Sequence, residues 1–464
     1  MLKSDPTPPH SPDRRTPLIV FGIWAVSVAL AMGLIALYAE NVPFADEWEA
    51  IPQLTRHRPA DFSWFVQRHN EHRIPIPRLI FYGLFRLTDD LRTAMYFNVA
   101  VLASTALALI LVAKKVRGYL RRSDAVFPLL LLNLGNWENI IWGWQVQYSM
   151  SISLSLVFLI CLVLQRERPT FPGTLTAGMA LILMPICGAN GSLCSLVLAT
   201  WLFAAGAWQL VFRNRGVGLL GMILALLALA MAASCWITPA KSALVRIRQF
   251  WPWYWLENLG EYFSVSFGPP YLTTASSTPG FLFTLWPLWA AVGLLFVVAS
   301  IWKCIKLTPD ERMHALGFLT ICAAMVGMQI AVASFRPIPY GVHLFSKEPA
   351  TVFSSRYALV FVPLPLALYF FWERYGGRRG RALVQTALFG MALLSVLYIP
   401  TALNAARDRQ EVLVAFLEEA RSYEPAALVA NHQSPCVLVP GAQDRLTDFI
   451  SELRDHWRRR GATR

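Results

Sequence analysis

Long apolar runs recur along nearly the whole of this 464-residue chain. They are about 18–24 residues each, and about 20 apolar residues are needed to cross roughly 30 Å of hydrocarbon. A soluble helical protein would show apolar stripes on one helix face instead of runs apolar all round. Hydrophobic residues make up 56% of the chain and charged residues only 15%, against about 45–50% and about 25% in soluble domains. The expectation is an all-α polytopic membrane protein.

The formal charge of +13 would suggest nucleic acid in a soluble protein. Here the basic residues gather in short clusters between apolar runs, as the positive-inside rule describes, so no nucleic-acid partner is expected. The seven cysteines fall mostly inside spans. They form no CxxC and no Cys/His pair at zinc spacing, and they read as small core residues.

About eleven spans are expected, at about 16–39, 92–113, 124–136, 148–164, 172–187, 192–212, 216–237, 280–302, 314–335, 356–372 and 382–400. Arg14 and Arg15, then the clusters at 114–122, 166–168, 213–215, 303–306 and 374–381, all fall on one side. This puts the N-terminus inside and the C-terminus outside. The first run is read as an uncleaved anchor, since it is longer than a signal peptide core and shows no small-x-small site. Residues 1–15 read as a disordered cytoplasmic segment, 16–400 as the membrane domain, and 401–464 as a short periplasmic tail. Two large outer segments are expected, 40–91 and 238–279.

The chemistry-bearing residues concentrate at the outer ends. The first loop holds Asp46 and Glu47 a few residues after span 1, then Arg68, His69, Asn70, Glu71, His72, Arg73 and Arg78. Asp46 suits a general base whose pKa burial would tune. The competing reading is a helix cap, with Asp46 at the N-cap and Glu49 at the third helical position. His69 and His72 could share a helix face, but HNEH matches no zinc motif. No cofactor is expected; a divalent metal is an open possibility without support from the motifs. His69, Glu71, His72, Arg73 and Arg78 are candidates for contacting a phosphate, arginine being suited to bidentate binding. Simple anchoring to lipid headgroups is the alternative. The Ile74-Pro75-Ile76-Pro77 run should fix an extended entry into the next helix.

Further along, Glu138 and Asn139 sit among tryptophans with Gln145 and Gln147. An aromatic belt accounts for the tryptophans. An acid at that depth instead suggests a cavity wall. Arg356 opens span 10 and could stabilise a phosphate or snorkel to the interface. Gly216, Gly218 and Gly221 fit GxGxxG literally but open a span with no strand before it, which points to close helix packing. Asn190-Gly191-Ser192 is a glycosylation sequon by pattern alone, and no Walker A, GxSxG or kinase signature occurs.

This arrangement, with a first span leading into a long outer loop that carries the acidic pair Asp46-Glu47, then many spans with charged residues at their outer ends, resembles the GT-C superfamily of integral membrane glycosyltransferases. The resemblance is closest to bacterial members that use polyprenyl-phosphate sugars, and its architecture covers about residues 16–400. It implies interfacial helices in the first outer loop and a bacterial inner-membrane enzyme acting at the outer face. Asp46 would be the general base, with Glu47 assisting, and the reaction would be inverting. Glu138 and Arg356 join the substrate-binding candidates. The partners implied are a polyprenyl-phosphate-linked sugar donor, a lipid or glycan acceptor of the cell envelope, and membrane lipids. The second acidic motif of many members is reduced here to Glu138. The rival readings are a flippase for lipid-linked sugars, which would place charges within the spans, and a polysaccharide polymerase or ligase, whose important loop usually lies late in the chain.

Overall fold

The computed structural model describes residues 14–69, 72–165, 168–235, 252–267, 286–335, 356–422, 426 and 443–460. Among them the protein is almost entirely helical, with a single two-residue hairpin. Helix α1 (Arg15–Tyr38) leads into the first loop. That loop comprises a 3₁₀ turn (Ala45–Ala50), α2 (Ile51–Leu54), α3 (Phe62–Val66), strands β1 (Arg68–His69) and β2 (His72–Arg73), and α4 (Pro75–Thr88). Then follow α5 (Arg92–Arg117), α6 (Val126–Leu131), α7 (Trp137–Ile140), α8 (Val146–Gln165), α9 (Phe171–Leu183), α10 (Ala189–Phe212), α11 (Arg215–Cys235), α12 (Pro252–Val265), α13 (Trp286–Ile305) and α14 (Pro309–Phe335). The chain closes with α15 (Arg356–Val360), α16 (Pro363–Tyr375), α17 (Arg378–Leu394), α18 (Ile399–Arg421) and α19 (Gln443–Arg460).

Eight described helices are long and apolar enough to cross a membrane: Arg15–Tyr38, Arg92–Arg117, Gly143–Gln165, Ala189–Phe212, Arg215–Cys235, Trp286–Ile305, Pro309–Ser334 and Arg378–Leu397. The protein is therefore a multi-pass membrane protein. Their apolar side chains face outward where no other helix covers them, as with Leu18, Val26 and Leu37 of α1 and Leu219, Ile223 and Leu226 of α11. The other three expected spans are short or broken. The stretch 124–136 divides into α6 and two 3₁₀ turns around Pro128 and Asn133. Residues 172–187 form the shorter apolar helix Phe171–Cys187, which tightens to 3₁₀ geometry around Pro185. The third is divided before Pro363 into α15 and α16. In each case proline removes a backbone donor and crowds the preceding turn.

The GxGxxG run is a packing device. Gly206 of α10 lies so close to α11 that an added Cβ would come 2.8 Å from the Gly218 carbonyl oxygen. Gly218 and Gly221 are buried while Leu219 is exposed, so one small-residue face lets the two backbones approach. In the preceding hairpin, Gly188 has φ +152°, a conformation that favours glycine. Asn190 is buried beside Ser151, to whose hydroxyl it donates, so the sequon is not open at the surface. The six described cysteines are buried and free.

The end of the bundle carrying the basic clusters is fastened by buried ion pairs. Arg117 pairs with Asp124 and, at 3.0 Å, with Glu373, which also takes Arg121 at 2.9 Å. Gln385 Nε2 donates to Glu373 at 2.7 Å, and the Tyr369 hydroxyl donates to Asp124 at 2.6 Å. These partners join α5, α16 and α17. The first loop joins the other ends of α1 and α5 and packs against α18 and α19, with Trp48 edge to face on Phe416 at 5.4 Å and Arg459 donating to the Thr55 carbonyl at 3.1 Å.

Candidate active site

Asp46 stands just past α1, on the turn Ala45–Ala50. Ala45 before it has φ +49°, a left-handed conformation that costs a non-glycine residue about 1 kcal/mol. The turn is capped by Glu47, whose Oε2 accepts the Phe44 backbone N–H at 2.9 Å. Phe44 is thus the N-cap and Glu47 the third position. The competing reading, a cap at Asp46 with Glu49 third, is not what forms: the cap lies two residues earlier and leaves the Asp46 carboxylate outside it. Its side chain keeps 19% exposure, whereas Glu47 keeps none.

Glu47 is enclosed by its neighbours. Its Oε1 accepts the backbone N–H of Trp144 at 3.1 Å. Burial lifts its pKa to about 7, against backbone hydrogen bonds from Phe44, Trp144 and Gly143 and the nearby charge of Arg409. With each oxygen accepting a backbone N–H and the side chain fully buried, Glu47 holds the turn.

His69 and His72 are not on a helix face. They pair directly across the β1–β2 hairpin, with Arg68 opposite Arg73, and directly opposite residues in an antiparallel pair project to the same side. Their rings meet edge to face at 5.6 Å. His69 is 1% exposed. Its Nδ1 lies 3.1 Å from Glu49 Oε2, and its Nε2 lies 3.5 Å from Asp46 Oδ2. The Trp144 indole Nε1 lies 3.2 Å from the same Nε2, which can accept its N–H only when His69 is neutral. Burial opposes the imidazolium, but hydrogen bonds and charge from Asp46 and Glu49 outweigh it and lift the His69 pKa to about 9. Burial would raise the Asp46 carboxyl in turn. The hydrogen bond and charge of His69, with Arg356 and His72 behind, hold it below its usual range. His72 Nε2 lies 3.4 Å from Gln147 Oε1.

The arginine candidates separate. Arg78, 1% exposed, donates from Nη1 to the carbonyls of Trp64 and Gln67 at 2.8 and 2.7 Å, and from Nη2 to that of Arg68 at 3.3 Å. It ties the end of α3 to the hairpin through both Nη atoms, and its Nε has no hydrogen-bond partner among the described residues. The Pro75 entry to α4 holds it there. Arg73 donates to the Val66 carbonyl at 3.2 Å. Arg356 opens α15 with its guanidinium over Trp142 and Tyr357, 5.2 and 5.3 Å from the ring centres. Its backbone N–H donates to Glu138 Oε2 at 2.9 Å, and Asn139 Nδ2 donates to its carbonyl at 3.0 Å. Its Nε has no hydrogen-bond partner among the described residues.

Thus Asp46, Glu47, His69, His72, Glu138 and Arg356 come together at one end of the bundle. Glu71 lies outside the described residues, as does most of the second outer segment. Glu49, Trp144, Gln147 and Arg409 belong to the site but were not among the nominated residues. Glu49 and Gln147 were visible as polar residues in the two relevant stretches. Among the described residues no group of three His, Cys, Asp or Glu is placed to hold a metal ion. A separate, mostly apolar cleft between α8, α10, α11 and α14, lined by Leu162, Trp201, Gly206 and His314, contains none of the nominated residues.

No family model and no curated protein matches the chain. Among solved structures it is similar to the archaeal oligosaccharyltransferase AglB from Archaeoglobus fulgidus in complex with an inhibitory peptide and a dolichol-phosphate. The identity is 10% and the TM-score 0.44, over 91% of this chain and 61% of that one. It is also similar to the Archaeoglobus fulgidus oligosaccharyltransferase in the apo form, with 10% identity and TM-score 0.43 over 90% and 60%. For the complex of the Archaeoglobus fulgidus enzyme with Zn and sulfate the values are 12% and 0.44 over 91% and 58%. The chain spans about three-fifths of the length of these oligosaccharyltransferases.

Proposed function

We propose that the chain is a GT-C-type membrane glycosyltransferase. It moves a sugar from a polyprenyl-phosphate donor to a lipid or glycan acceptor of the cell envelope, at the outer face of a bacterial inner membrane. The observation that carries this reading is the Asp46 carboxylate. It is ionised, partly open and directly after the first span, with Arg356 close enough to act on it electrostatically. The resemblance to the GT-C superfamily assigns the base to this same residue.

In this reading the acceptor hydroxyl gives its proton to Asp46 as its oxygen bonds to the anomeric carbon. The bond from that carbon to the phosphate oxygen breaks on the opposite side, and the lipid phosphate leaves with the electron pair. A cation beside the departing phosphate stabilises the developing charge, and Arg356 is the candidate for it. One base suffices, unlike hydrolases that use two carboxylates. Glu47 and His69 act as positioning residues: Glu47 fixes the turn and His69 orients Asp46. Arg78 acts as a structural tie. The orientation rests on the basic residues at the opposite end, including Lys114, Lys115, Arg213, Lys303 and Arg381.

Purified protein in lipid nanodiscs, given a radiolabelled polyprenyl-phosphate sugar and envelope lipid or glycan acceptors, should release free polyprenyl phosphate and label the acceptor. Absence of transfer to every acceptor class, with the donor bound, would overturn the reading.

A further inference from the structure

Arg409 of α18 is a buried cation short of acceptors. Its side chain is 8% exposed, and its Nε and Nη1 have no hydrogen-bond partner among the described residues. Its guanidinium carbon lies 3.8 Å over the Phe44 ring. That contact occupies the flat face and leaves the in-plane N–H groups still to be matched. Among the described residues no salt bridge joins it to a carboxylate, although the charges of Glu47 and Glu138 both act on it. Leaving a buried charge unpaired costs several kcal/mol, and buried donors are nearly always satisfied.

The surroundings share this deficit. The 3₁₀ turn Leu134–Asn136 packs on α18; among the described residues its buried Asn136 Oδ1 has no donor, Trp137 Nε1 has no acceptor, and neither amide atom of Gln145 has a partner. Arg356, the other cation coupled to Glu138, also has a buried Nε with no partner among the described residues. These groups lie on segments gathered around the Asp46 turn. α18 is tied to the end of α1, where Gln410, next in sequence, donates to the Leu37 carbonyl at 3.0 Å and to Glu40 Oε1 at 2.8 Å.

We infer that Arg409 binds an oxyanion of the phosphate class, so that the segment after the last span supplies part of the donor site. This rests on the glycosyl-transfer reading for the identity of the donor, and on the geometry alone for the anion. A guanidinium donates to phosphate oxygens through its in-plane N–H groups, and at Arg409 Nε and Nη1, one from each donor edge, stand without a partner among the described residues. Arg356, on which the charge of Glu138 also acts, would approach the same anion from α15.

The test measures binding to the full chain in nanodiscs with three probes: a polyprenyl monophosphate, the matching uncharged polyprenol, and inorganic phosphate. Wild type should prefer the polyprenyl monophosphate to the polyprenol. Arg409→Gln should weaken the phosphate form by roughly ten- to a hundredfold, the worth of a charged hydrogen bond, and leave polyprenol binding unchanged. Inorganic phosphate bound by wild type and lost in the variant would identify a free-phosphate source for the same site. Should Arg409→Gln fail to fold, Arg409→Lys keeps the charge beside Glu47 but loses the fork, and should weaken the phosphate form by about tenfold. Wild-type affinity for the polyprenyl monophosphate in a folded variant overturns the inference, as does a wild type that does not distinguish phosphate from polyprenol. A wild type that makes the distinction but transfers no sugar leaves the anion site standing and removes the transferase reading.

Discussion

Glu47 Oε1 accepts the backbone N–H of Trp144 at 3.1 Å, across 97 positions of sequence. This bond joins the turn carrying Asp46 to the polar stretch before α8, and Glu47 is fully buried at the junction. Replacing it with glutamine turns one acceptor into a donor facing a backbone N–H. Glu47→Gln should destabilise the protein by about 1–3 kcal/mol and lower activity through a misplaced Asp46. Thermal unfolding in detergent checks the first effect and transfer assays the second.

Glu47 also sets a pH dependence of stability. Its folded pKa of about 7 lies above the ordinary 4.5, so folding binds a proton. The associated stability is fully present below pH about 4.5 and is lost as pH rises through about 7. The melting temperature of wild type should therefore fall across that window, and Glu47→Gln should lack this component.

How much of this was legible in the sequence depends on the range of the interaction. The spans could be read because twenty apolar residues have one use, and the glycines of α11 because small residues on one face let helices approach. Asp46 was visible from its position after α1. The hairpin pairing His69 with His72 was not, since two-residue strands carry no periodicity. Nor was the role of Arg78, whose carbonyl partners lie 10–14 residues upstream. Arg409 was passed over because α18 read as a solvated tail. Only the fold brings it against Phe44 and Glu47.

His69 gives a second pH signature. Its pKa of about 9 stands above the ordinary 6.5, so the imidazolium keeps its hold on Asp46 and Glu49 until pH rises through about 9, and the stability it contributes is fully present below pH about 6.5. The other groups facing this pair are His72, Trp144 and Arg356. Activity should decline on the alkaline side near pH 9, and His69→Gln should lower kcat more than it raises KM while removing that limb. A pH–rate profile with the limb intact in the variant would contradict this role.

Arg78 and Arg356 should behave oppositely. Arg78→Ala removes three hydrogen bonds to carbonyls and should cost about 3 kcal/mol or more of stability. Any protein that remains folded should show donor affinity near wild type. Arg356→Gln should instead cost roughly ten- to a hundredfold in kcat with donor in excess, which steady-state kinetics beside thermal unfolding will separate.

The packing of α10 on α11 makes a different claim. Gly206 lies against the Gly218 carbonyl, so Gly206→Leu should destabilise the pair by about 1–3 kcal/mol or more through overpacking, measurable as a lower melting temperature. Nucleotide binding by wild type that is lost in this variant would contradict the packing assignment.

The central claim is that Asp46 takes the acceptor proton. Single-turnover transfer from a radiolabelled polyprenyl-phosphate sugar, compared between wild type and Asp46→Asn with donor binding measured in parallel, tests it most directly. The account predicts that the variant binds donor and folds like wild type while the transfer rate falls by about 10²–10⁴-fold, the span of general-base catalysis. An Asp46→Asn protein that transfers sugar at the wild-type rate would contradict it.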